Sequence, residues 1–97
     1  MSNQKIEMFQ EALKFIQEYD ARFPGEPALE SVAAQLRYLI GLERGEVTDR
    51  SKLHEVTLGR FAVYELSNII SDDHSKLLCE ISEDIRRQLR RESRTTS

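Results

Sequence analysis

Residues 6–27 read IEMFQEALKFIQEYDARFPGEP, and both the spacing within this stretch and the manner of its ending point to helices in series. Ile6, Phe9, Leu13, Ile16 and Tyr19 recur at steps of three and four, one apolar stripe along a helix from about Asn3 to Arg22. Phe23, Pro24 and Gly25 stop it, because proline has no amide hydrogen to give and disfavours helix in the residue before it. A proline is well tolerated in a first turn, so Pro27 opens a second helix. That helix carries Leu29, Val32, Ala33, Leu36, Leu39 and Ile40 to about Arg44, with Gly45 as its terminal cap.

The rest of the chain continues in the same manner. A third segment starts with Asp49 or Ser51 as N-cap and runs through Leu53, Val56, Leu58, Phe61, Ala62, Val63 and Leu66. Its pattern is the least regular, and Phe61 to Val63 could be read as a strand. A lone short strand would have no partner, so the segment is read as helix. A fourth helix begins near Ser71 or Asp72 and sets Leu77, Leu78, Ile81, Ile85 and Leu89 on one face. Four amphipathic helices joined by short links predict an all-α fold, a compact antiparallel bundle of about four helices. With 97 residues there is one core to fill, so residues 1–92 are read as a single helical domain and 93–97 as a frayed tail.

Composition narrows the class. Apolar residues make up 39% of the chain and charged residues 32%, enough hydrophobic material for a folded domain. The longest uncharged runs fall far short of the roughly 20 residues needed to cross a bilayer. The first residues, Met1 to Glu11, lack the basic and apolar regions of a secretory signal, and the single Cys79 cannot make an internal disulfide. A cytoplasmic location is the expectation. From Arg86 onward five arginines face one glutamate, a net +4, so the preceding 85 residues carry −7 of the chain's total −3. An acidic body is a poor general ligand for nucleic acid and suits a basic protein surface.

Little in the chain speaks for catalysis. The nucleophile and base candidates are Cys79, His54 and His74, and no catalytic signature joins them. His74 precedes Cys79 by five positions on one helix, so the two project in different directions, and Cys79 reads as a structural thiol. The same three residues lack the paired spacing of zinc sites, and there is no glycine-rich phosphate loop. Asp72 and Asp73 at a helix start are explained by its free amides and dipole as well as by any metal. No enzyme, cofactor, metal or small-molecule substrate is expected. The strongest rival signal is basic: Arg86, Arg90 and Arg94 lie four apart, as do Arg87 and Arg91. They leave open a small helical adaptor or regulator associated with nucleic acid through this helix, although no aromatic residues interleave to stack on bases.

One discontinuous string is more specific than any of these. Asp49, Arg50, Ser51, Leu53, His54, Thr57, Leu58, Gly59, Ala62, Val63 and Glu65 closely resemble a stretch of the immunity proteins that protect bacteria from type VI secreted NAD(P)+ glycohydrolase toxins. Upstream, Ala21 to Gly25 resemble that family's aromatic-Pro-Gly junction, and Gln35, Leu36 and Tyr38 its second helix. The resemblance runs from Ile6 to Ile70 and weakens in the last helix. It implies a protein that acts by binding the cognate toxin domain of a secreted effector and blocking access to NAD+ or NADP+, without chemistry of its own and without nucleic acid or membrane as partner. An acidic body would complement the basic rim of a pocket built for a pyrophosphate. Within the string, Leu53, Val56, Leu58, Ala62 and Leu66 are expected in the core, and Gly59 where a neighbouring helix comes close. The contact surface is expected at Asp49, Arg50, His54, Tyr64, Glu65, Asp72 and Asp73. For each a cap, salt bridge or solvated side chain is the competing explanation, and for His54 a buried hydrogen-bonded role as well.

Overall fold

The computed structural model describes residues 3–95, without the side chains of Asn3, His54 and residues 92–95. Helix α1 spans Asn3–Arg22 and α2 spans Pro27–Arg44. Pro27 occupies the first turn of α2, and Gly45 closes it in the left-handed region at φ 79°, where a side chain would be strained. There the Gly45 amide bonds back to Leu42, and those of Glu46 and Val47 to Gly41. The last helix, α4, covers Asp72–Thr95. Ser71 is its N-cap: the hydroxyl accepts from the His74 amide at 3.3 Å and the carbonyl from the Ser75 amide at 2.9 Å. The acids Asp72 and Asp73 therefore sit in the first turn as exposed partners of the helix dipole.

Between α2 and α4 the chain is helical but not one helix. A 3-10 turn at Ser51–Glu55 is followed by α3, a single turn at Leu58–Arg60, which widens into a π turn at Phe61–Glu65. The break has a definite cause. Thr57 gives its amide hydrogen to the Gln35 side-chain oxygen of α2 at 2.9 Å, which removes it from the helical ladder. Leu58, Ala62 and Leu66 are four residues apart and all fully buried. In an α-helix each four-residue step overshoots a full turn by about 40°. The wider turn, closed by Leu66 N–H to Phe61 C=O at 2.8 Å, swings Leu66 back over the same face.

Two clusters of contacts set the helix directions. Lys5, near the start of α1, lies 3.4 Å from Asp84, 3.2 Å from Gln88 and 4.0 Å from Glu43, which ties that end to the final turns of α2 and the later part of α4. At the other end of α1, the Tyr19 hydroxyl accepts from the Ser71 amide at 3.1 Å and lies 2.9 Å from His74 Nδ1, while the His74 ring stacks on Phe15 with centroids 4.0 Å apart. Both α2 and α4 thus run antiparallel to α1, as short connections require.

The core is drawn from every helix and includes Phe9, Ile16, Leu29, Leu36, Leu53, Leu58, Leu66, Leu78, Ile81 and Ile85. Burying each of these larger side chains contributes roughly 1.5 to 3 kcal/mol before conformational entropy is subtracted. Ala12 and Phe15 are buried too, although they lie beside the stripe read from sequence. The reason is that α1 packs against both α2 and α4, so its covered face is wider than one stripe. Val56 is only partly buried, whereas Leu53, Leu58, Ala62 and Leu66 are in the core. No helix among the described residues is long and apolar enough to cross a membrane.

Candidate functional site

The sequence around α3 builds a groove from the backbone outward. At its base Gly59 meets α4, and a Cβ at this position would lie 3.3 Å from both Cβ and Oγ of Ser82. Glycine is what lets the segment come down onto the helix here. Two to six residues further on, the π turn keeps Ala62 inward, with Leu66 buried just after it, and leaves Val63 and Tyr64 outward, where they are 51% and 75% exposed. Between this turn and α4 lies an open groove of about 870 Å³. Thr57, Gly59, Phe61, Cys79 and Ser82 line it, and the charged side chains of Arg60, Glu65, Glu83 and Arg86 stand along it. Val63 and Tyr64 border the same space. Phe23 is the other large apolar side chain exposed among the described residues.

The scaffold behind the groove is held from α2. Gln35 makes two bonds to Thr57, accepting from its amide and donating to its hydroxyl at 3.3 Å. One turn further along α2, the Tyr38 hydroxyl donates to the Asp49 carbonyl at 2.6 Å. Burial, with the Asp49 charge as a second cause, pushes the Tyr38 phenol above its ordinary pKa. The Asp49 carboxylate accepts from the Ser51 amide at 3.0 Å, and that bond holds its pKa below the usual aspartate value, helped by the Ser51 hydroxyl. Both ends of the segment from Asp49 to Thr57 are thus fixed to one face of α2.

The residues singled out from sequence do not form one cluster. Tyr64 and Glu65 border the groove together. Arg50 lies at a separate small recess lined also by Phe9, Leu53, Ile85 and Gln88. Asp49 is exposed but engaged with Ser51 and Tyr38. Asp72 and Asp73 are exposed at the start of α4, outside both recesses. The His54 side chain lies outside the described residues. Sequence reasoning had not chosen Arg60, Phe61, Val63 or Glu83, because a local pattern shows which residues face outward but not where α4 leaves a groove beside them. The four-residue spacing of Leu58, Ala62 and Leu66 gave no warning of the π turn, because Val32, Leu36 and Ile40 keep the same spacing, all buried, on the regular helix α2.

Cys79 is partly exposed within the groove, and no histidine with a described side chain lines it. His74, the nearest in sequence, is occupied by Tyr19 and Phe15. Among the described residues, no group of three or more His, Cys, Asp or Glu is placed to hold a metal ion. What the groove offers is two exposed apolar side chains, a recess and both signs of charge.

Comparison with known proteins adds the following. The Tsi6 family matches residues 4–88, which takes in the whole groove and extends past Ile70 into α4. A curated relative, the Immune protein Tsi6 of Pseudomonas aeruginosa, is 40% identical over 60 residues, 62% of this chain and 64% of that protein. The match therefore spans just under two thirds of the relative's length. No solved structure matches the chain.

Proposed function

The chain belongs to the Tsi6 family, and on that premise we propose that it is an immunity protein, which silences a toxin by binding it. The relative's name assigns immunity to the Pseudomonas protein, and the surface of this chain supports carrying the role over. The observation that carries the reading is the exposed pair Val63 and Tyr64 at the edge of the groove; among the described residues Phe23 is the only other large apolar side chain that is exposed. An aromatic side chain held out on a rigid element is the usual form of an energetic anchor in a protein contact.

The toxin is a type VI secreted NAD(P)+ glycohydrolase, and the contact occurs in the cytoplasm of the producing cell, where it preserves the cofactor pool. Tyr64 and Glu65 supply the centre of the contact. Asp49, Arg50, His54, Asp72 and Asp73 extend it along the ends of the same segment and onto the opening of α4. The acidic body, −7 over residues 1–85, meets the basic rim of a cleft that must accept a pyrophosphate, which speeds encounter and fixes orientation. No bond is made or broken by this chain; its work is to cover a substrate pocket.

Protection of growing cells tests this. A strain expressing the cognate toxin domain should keep its NAD+ when this chain is coexpressed, and should lose it when the chain carries Tyr64→Ala with Glu65→Lys. Cells that lose NAD+ equally with and without the intact chain would remove the reading.

A further inference from the structure

The charges around the groove have a pattern of their own. Arg60 and Arg86 stand on it with Glu65 and Glu83, two of each sign. Lys5 pairs with Glu43 and Asp84, and among the described residues none of these four groove side chains takes part in an ion pair. The shape is balanced in the same way, because the protruding Val63 and Tyr64 border the recess itself. Projection and recess, positive and negative, lie side by side on one patch. A twofold axis places residue i of one copy against j of the other and j against i, so a patch that holds both halves of each complement is complete with its own copy.

We propose that the free chain pairs with a second copy of itself through this groove. Tyr64 of each copy enters the recess of the other, and the arginines of one face the glutamates of its mate. The inference stands on the groove alone and not on the identity of any toxin. It has a regulatory consequence, since Tyr64 and Glu65 cannot serve a mate and a toxin at once. Binding the toxin then requires the pair to part.

Sedimentation of the full chain alone tests it. The mass should rise from one chain to two between about 1 μM and about 1 mM, the range in which modest interfaces become populated. Added salt should shift the transition upward, because the contacts are charged and lie at a surface. Two charge-reversed variants sharpen the test, R60E with R86E and E65R with E83R. Each should remain single, since it sets four like charges of one copy against four of the other, and an equimolar mixture should recover the pair. These side chains are solvent-facing, so helix content by circular dichroism should be unchanged; should either variant fail to fold, Tyr64→Ser serves instead and should weaken pairing at least tenfold. A wild-type chain that stays single throughout overturns the proposal and leaves the groove to another protein. So does a pair that persists in both reversed variants, or a mixture that does not recover it.

Discussion

Gln35 and Thr57 hold each other by both ends of the Gln35 amide: its oxygen accepts the Thr57 N–H at 2.9 Å and its nitrogen donates to the Thr57 hydroxyl at 3.3 Å. This exchange replaces the helical bond Thr57 would otherwise make and hinges the 3-10 turn against α3. Truncating Gln35 to alanine leaves the Thr57 amide without its partner in a partly buried place, at a cost of about 1 to 3 kcal/mol. Urea denaturation of Gln35→Ala should show it as a lower midpoint with an unchanged slope. An unchanged midpoint would mean that water takes over the bond and that the hinge does not depend on α2.

Gly59 and Ser82 should be energetically coupled. Gly59→Ala gains about 1 kcal/mol of helix propensity, against which stands a Cβ only 3.3 Å from Ser82. With Ser82→Gly the obstruction is gone. A double-mutant cycle should therefore give an interaction energy above about 0.5 kcal/mol, with alanine at 59 more favourable beside glycine at 82. Strict additivity would show that α3 and α4 can move apart without cost.

Ile81 is fully buried on α4. Ile81→Ala should cost about 2 to 5 kcal/mol through lost contacts and the cavity left behind. For a domain of this size that is a large part of its total stability, so thermal unfolding should begin near ambient temperature. A melting curve that coincides with the parent's would place Ile81 outside the core.

The Asp49 carboxyl should titrate below an ordinary aspartate, because the folded chain offers its ionised form the Ser51 amide and hydroxyl. Since the folded value is depressed, its contribution to stability is present above the unfolded value, near pH 4, and is lost as pH falls through the folded one. Carbon NMR of the Asp49 carboxyl should show the low midpoint, and Ser51→Ala should raise it part of the way by removing the hydroxyl. A midpoint at the ordinary value would show that the turn at Asp49 opens in solution.

How far these features could be read from residues alone depended on whether they were local. The limits of α1 and α2 follow from Pro24, Pro27 and Gly45, whose backbone preferences act within a residue or two. The Ser71 cap is equally local. The break at Thr57 was not legible, because it is made by Gln35, 22 positions away. The groove shared that fate: it exists where the π turn, Gly59 and Ser82 come together, and nothing in the local pattern joins Ser82 to Gly59. Of the contact residues chosen from sequence, Tyr64 and Glu65 lie at the groove, while Asp49 is engaged in the turn that its residue type favours.

The central claim is that this chain acts by covering another protein's pocket, and the most direct measurement is a titration of NAD+ cleavage. A fixed amount of the cognate toxin domain receives increasing amounts of the purified chain. The account predicts a linear fall in rate that reaches zero at one chain per toxin, with no loss of NAD+ when the chain is present alone. Full cleavage at equal concentrations, or consumption of NAD+ by the chain itself, would contradict it.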